Sequence, residues 1–180
     1  MKKSVVAILS LSRINKSLPS FKKEAFEKEA LQIYCEVFTG FANGTMKQVQ
    51  NLCTPPVFTD LLADMKSRRA SEKHNWKMDE HIRTKVLHMR AFKFKDQEFA
   101  QVTIFIESMQ SLNVHAGSGG KVQGTVGKGK EAITDANANA SASENTNTKG
   151  SFQKKHVSDI FVLERNLTNR HGRWRFCGKL

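Results

Sequence analysis

The spacing of apolar positions along this chain changes once, from a helical period to an alternating one. Between Glu24 and Ala42, Phe26, Ala30, Ile33, Val37 and Phe41 recur every three or four residues, and Tyr34 and Phe38 broaden the stripe. That spacing predicts a helix with one buried face, stopped by Gly44. Thr45 and Gln48 then form a T-x-x-Q capping box for a short second helix reaching about Cys53. Thr54 followed by Pro55 opens a third, since a hydroxyl cap with proline at the first helical position is a start signal. This helix is expected to run to about Lys73 and to bury Phe58, Leu61, Leu62 and Met65.

Beyond it the period drops to two. Lys85–Lys95 is a strand candidate carrying Val86, Leu87, Met89, Phe92 and Phe94. In Phe99–Met109, Ala100, Val102, Ile104 and Ile106 point one way while Gln101, Thr103 and Glu107 point the other. Phe105 interrupts the polar side, which implies that this face is also partly covered. Val157–Leu167 is a third strand and Arg173–Gly178 a fourth, joined as a hairpin by the turn residues Asn169, Arg170, His171 and Gly172. Three helices followed by about four antiparallel strands predict an α+β domain, with the helices on one face of a curved sheet.

Residues 116–151 interrupt this order. A Gly-rich stretch (117–130) and an Ala/Asn/Ser/Thr tract (136–148) bury too little apolar surface to fold, so the segment reads as a disordered insert between neighbouring strands. Its Gly-Lys pairs do not make a phosphate loop, because the G-x-x-x-x-G-K-[ST] pattern is absent. The organisation is therefore a basic segment, 1–23, followed by a single domain, 24–180, containing the insert.

Charge adds a direction. The net charge is +12, and it is concentrated in blocks: six Lys/Arg and no acid in residues 1–23, ten against three in 65–95, eight against two in 149–180. Such blocks suit phosphate backbones or anionic lipid heads, or simply a soluble basic protein. The first block, with five Ser, has the composition of a mitochondrial transit peptide. A secretory signal and an RNA-contacting tail are the competing readings. No run of eighteen apolar residues exists, so membrane contact would be peripheral. Three widely spaced cysteines (Cys35, Cys53 and Cys177) without a CxxC pair argue against a disulfide framework or zinc site.

Catalytic motifs are missing. His74, His81 and His88 recur every seven residues, a period that gathers nothing on a strand. His88, Glu107 and Asp159 are the strand residues able to face an acid–base pocket, which only geometry can establish. The basic constellation is the stronger signal. Lys66, Arg68, Arg69 and Lys73 cluster at the end of the third helix; Arg83, Lys85, Arg90, Lys93 and Lys95 line a strand; Arg170, Arg173, Arg175 and Lys179 line the last hairpin. These are the candidate contacts to RNA or another anionic surface, through phosphates rather than base edges. Strand alternation sends Trp174 and Phe176 to the core and Arg173 and Arg175 outward. Trp76 reads as a packing anchor.

Four stretches together resemble a known family: AFEKEALQIYCEVFTGFANG, LCTPPVFTDLL, the W-x(9)-V-x-H run of Trp76, Val86 and His88, and the tail VSDIFVLERNLTNRHGRWRFCGKL. The tail is the most specific. The chain resembles the translocase-of-inner-membrane subunit 44-like domain family, most closely its mitochondrial large-subunit ribosomal branch and the fungal membrane-associated ribosome receptors. The resemblance covers about Phe21–Gly44, Leu52–Leu62, Trp76–Met89 and Val157–Leu180; the 116–151 insert has no counterpart in it. It implies a nuclear-transport-factor-2-like cone, no catalysis and no cofactor. It also implies a matrix location at the inner membrane, near the polypeptide exit of the mitochondrial ribosome. The implied partners are large-subunit rRNA, neighbouring ribosomal proteins, and the insertion machinery or anionic lipid. A membrane-peripheral import adaptor and a small-molecule binder or enzyme using the cone as a pocket are the alternatives.

Overall fold

The computed structural model describes residues 12–68, 72–116, 154–169 and 171–180. Most of the insert, the start of the basic N-terminal segment, Arg69 and Arg170 lie outside the described residues. The elements are α1 (12–17), α2 (Lys23–Asn43), a 3-10 segment (Met46–Leu52), α3 (Pro55–Ser67), β1 (Glu72–Phe94), β2 (Gln97–Ala116), β3 (Lys154–Asn166) and β4 (Arg175–Lys179). The strands form one antiparallel sheet in the order β1-β2-β3-β4, so the insert does join neighbouring strands.

The stripe on α2 becomes the centre of the core. Phe26, Ala30, Ile33, Tyr34 and Val37 are buried against Val102, Ile104 and Ile106 of β2 and Phe161 and Leu163 of β3. Trp174 closes one end, edge-on to Phe26 at 4.7 Å between ring centroids, with Phe21 at 6.2 Å. Ile14 on α1, within the basic N-terminal segment, is fully buried in the same cluster. Helix α2 stops where Gly44 takes φ 73°, in the left-handed region that costs other residues energy.

Several local expectations are corrected. Neither Thr45 nor Thr54 caps with its side chain. The segment after Thr45 is a 3-10 helix, in which the Gln48 N–H donates to the Thr45 carbonyl at 2.9 Å. Thr54 is drawn to the sheet instead: its N–H donates to the Phe176 carbonyl at 2.9 Å, beside a parallel bridge between Cys53 and Phe176. The chain thereby covers the free edge of β4. Helix α3 ends at Ser67, not Lys73, and its Phe58, Leu61, Leu62 and Met65 are only partly buried, since α3 packs at the rim of the core. Strand pairing already begins at Glu72.

The sheet is bent by a mismatch in strand length. β1 has 23 residues and β2 has 20. The surplus is absorbed by three register shifts, which leave Asp79, Ile82 and Leu87 without a partner across the ladder. Each such bulge bends the strand and steepens its twist. On the free edge of β1, the Glu27 carboxylate of α2 accepts the Val86 N–H at 3.0 Å, tying helix to edge.

Truncating Trp174 to Ala should lower unfolding free energy by about 3–5 kcal/mol, as large aromatic deletions in a core do. Gly44→Ala should cost about 1 kcal/mol through the left-handed conformation. Urea denaturation reads both; a Trp174→Ala loss below about 1 kcal/mol would contradict the closed aromatic cluster.

Candidate functional site

Bulges decide which basic side chains share a face. With unbroken alternation, Arg83, Lys85, Lys93 and Lys95 would share one side of β1 and Arg90 would lie on the other. The extra residue at Leu87 shifts the phase, so Arg83, Lys85, His88 and Arg90 stand opposite Glu107, Phe105, Thr103 and Gln101, all on the sheet face away from α2. Lys93, opposite Glu98, is moved to the other face, at the exposed end of the hairpin.

This outer face has an apolar middle and a charged frame. Phe105, Ile160 and Val162 lie half-buried at its centre. Two polar ladders cross it. In one, Glu107 accepts from Arg83 Nη2 at 2.8 Å and pairs with His156 Nε2 at 3.1 Å. In the other, Gln101 accepts from Arg90 Nε at 2.8 Å and donates to Glu164 at 2.7 Å, beside Arg175. Lys85 between them is exposed and has no ion pair among the described residues. The register also places Lys77, Lys154 and His156 on this face, none of which the sequence reading singled out. Carrying the β3 alternation back past Val157 would have found Lys154 and His156.

Other candidates are committed to the fold. Arg68 is half-buried, its Nη1 donating to the Phe41 carbonyl at 2.9 Å and its guanidinium lying 3.8 Å from the Phe41 ring centroid. It supplies the positive charge that the last turn of α2 lacks, and burial lowers its pKa. Arg68 is therefore a helix cap from a neighbouring element, not a free phosphate contact. Lys179 would face outward with Arg175 by simple alternation. A bulge at Cys177, with Gly178 at φ 145°, turns it inward, where its Nζ lies 2.6 Å from Asp159.

Asp159 is the hub of a buried network. Its carboxylate also accepts the Tyr34 hydroxyl. Gln110 donates to Tyr34 at 2.9 Å and to Ser108 at 2.9 Å, and accepts from the Trp76 indole at 2.9 Å. Burial and the adjacent carboxylate push the Tyr34 phenol far above its usual range. Of the three acid–base candidates, Asp159 is buried, His88 is exposed and Glu107 lies on the outer face, so they do not converge. The seven-residue histidine series is split too, with His74 and His81 on one face and His88 on the other. Among the described residues no three His, Cys, Asp or Glu side chains gather in a metal-binding cluster.

Lys66 on α3 and Arg173 before β4 are exposed, away from the outer face. Lys73 lies on β1, opposite His115. The three cysteines are free thiols, with burial raising Cys53 to about 11. Among the described residues no helix is long and apolar enough to cross a membrane.

Helices held against one face of a sharply bent antiparallel sheet define a protein of the nuclear-transport-factor-2-like cone class. Within that class the Tim44-like domain family matches residues 8–135, and the chain belongs to this family. It is similar to the large ribosomal subunit protein mL45 of Bos taurus, 25% identical over 183 residues that cover 100% of this chain and 50% of the relative. It is also similar to the large ribosomal subunit protein mL45 of Drosophila melanogaster, 21% identical over 183 residues, covering 100% of this chain and 43% of the relative. The chain thus spans about half the length of the curated relatives it matches.

Replacing Arg68 by Ala removes a cap and an aromatic stack at once. It should cost about 1–2 kcal/mol in urea unfolding. A variant as stable as the parent would return Arg68 to the pool of free surface cations.

Proposed function

We propose that the protein is a structural component of the mitochondrial large ribosomal subunit, and that its outer sheet face meets ribosomal RNA. The observation that carries this reading is similarity along the whole chain to two relatives bearing a large-subunit ribosomal name. The cation-rich outer face supports it. Arg83, Lys85, Arg90, Lys154 and Arg175 there outnumber Glu80, Glu107 and Glu164, while Lys77 is paired with Asp79 at 3.5 Å. Surplus positive charge on a rigid sheet neutralises phosphates without reading sequence. The half-buried Phe105, Ile160 and Val162 at its centre offer packing area to a neighbouring ribosomal protein or a ribose face. The same reading places the protein in the mitochondrial matrix near the polypeptide exit, where it helps link the ribosome to the inner membrane and its insertion machinery. In this role it binds and positions; it performs no chemistry.

Sedimentation of a mitochondrial lysate at rising salt tests the proposal. The protein should stay with the large subunit through high salt. Release at moderate salt together with membranes would instead mark a peripheral import adaptor held by anionic lipid. The Arg83→Glu/Lys85→Glu/Arg90→Glu variant should leave the subunit at lower salt, with the salt dependence reduced by about 0.7–0.9 per lost phosphate contact. Lys66→Glu should sediment like the parent. If the triple variant also does so, the outer face is not the RNA contact.

A further inference from the structure

The end of the sheet at the β1–β2 turn carries aromatic rings that the core does not use. Phe92 and Phe99 are direct partners across the ladder, and their rings stack at 5.8 Å between centroids with 20° between planes. Phe94 follows two residues on, opposite Gln97. Alternation from Arg90 puts Phe92 and Phe94 on the outer face, the side away from α2. The rung of Phe94 lies past Asn166, the last β3 residue in register with β2, and Phe94 is 62% exposed. A single exposed apolar side chain needs no explanation; a stacked pair with an open third ring beside it, on a charged face, points to a contact.

Cations frame these rings. The Arg90 guanidinium lies 5.4 Å from the Phe92 centroid, and Lys95 Nζ lies 5.7 Å from the Phe94 centroid. Arg90 donates to the neutral Gln101, a bond that leaves its charge unmatched. Lys95 sits in the turn with φ 54°, in the left-handed region, where glycine would stand at lower cost. The turn thus keeps a cation beside Phe94 at the expense of conformational energy. Asp96, exposed in the same turn, puts a carboxylate at the outermost point of the hairpin. That carboxylate would meet an anionic bilayer first and be repelled, whereas beside an uncharged nucleobase it costs little.

We propose that this hairpin end is a stacking platform for unpaired nucleotides of RNA, with a base on the open face of Phe94 and the adjoining phosphates at Lys95 and Arg90. The inference rests on the reading that the outer face meets RNA, and it adds which RNA. A nucleobase is planar and stacks on an aromatic ring whatever its identity. A base inside a duplex already has both faces stacked, so it is not free for Phe94. The cations of the sheet alone would hold duplex and single strand through phosphates. Phe94 directs that charge to loops, bulges and strand ends.

The test is fluorescence anisotropy of the full chain with a labelled oligouridylate of about ten nucleotides and with an RNA duplex of the same length. Phe94→Ala should weaken binding of the single strand about fivefold or more, as removal of one base-stacking aromatic does. Duplex affinity should stay at the parent value. So should the slope of log K against log salt, because no phosphate contact is lost. Phe94→Trp should keep single-strand binding, and Phe94→Leu should behave like the alanine variant, since it retains apolar area without a π face. Circular dichroism checks that each variant folds. Unchanged single-strand affinity in Phe94→Ala, or an equal loss on both RNAs, would overturn the platform and leave the RNA reading of the outer face standing. No binding of either RNA by the parent would overturn both. Phe94-dependent flotation with anionic vesicles, without an effect on the single strand, would reassign the hairpin end to lipid.

Discussion

The pairing of a longer β1 with a shorter β2 is the constraint from which the rest of the molecule follows. Two strands of unequal length can stay hydrogen-bonded throughout only if the longer one carries unpaired residues. Asp79, Ile82 and Leu87 take that role. Each bulge adds bend and twist, and three along one strand curl the sheet so that a single long helix can lie against it. The buried face of α2 and the even-numbered residues of β2 then close on one another as one core. A flat sheet would leave Tyr34 and Phe161 on surfaces that diverge; the bent one brings their rings to 5.3 Å.

Curvature also creates two different surfaces from one sheet. On the inner side the core is dry near Trp174 and polar toward the mouth. There Ser108, Gln110 and Asp159 replace the aliphatic residues of the preceding rungs. These three side chains are tolerated there because they are satisfied within the network, through Tyr34 from the helix and Lys179 from the last strand. The network therefore joins α2, β2, β3 and β4 at the end where hydrophobic contacts thin out. On the outer side, alternation leaves a half-buried apolar centre framed by cross-strand charge ladders. Individually such exposed pairs contribute well under about 1 kcal/mol. Their consequence is positional: they hold Arg83 and Arg90 upright over the sheet, with Lys85 between them.

The family assignment is consistent with this division of surfaces. The family match covers the helices and the β1–β2 ribbon, the part of the chain that sets the curvature. Strands β3 and β4, beyond that match, complete the inner network and carry Arg175, Lys154 and Lys155. A fold shared across a family fixes where surfaces lie, whereas the charges placed on them set what they meet.

The sequence by itself determined what depends on local periodicity. The apolar stripe of α2, its stop at Gly44, the cores of the four strands, and the inward turn of Trp174 and Phe176 were all legible. Helical and alternating spacing map directly onto one face of one element. The order of helices before strands was legible for the same reason. Tertiary structure decided everything that depends on phase. A single unpaired residue reverses the side on which all later residues of a strand emerge. Nothing local marks Leu87 or Cys177 as that residue, because a bulge is chosen by the mismatch between two paired strands. Arg90 thus joins Arg83 and Lys85, Lys93 leaves them, and Lys179 turns inward to Asp159. Arg68 became a cap rather than a surface cation because the end of α2 needed a positive partner from outside its own helix, a requirement visible only once α3 packs beside it.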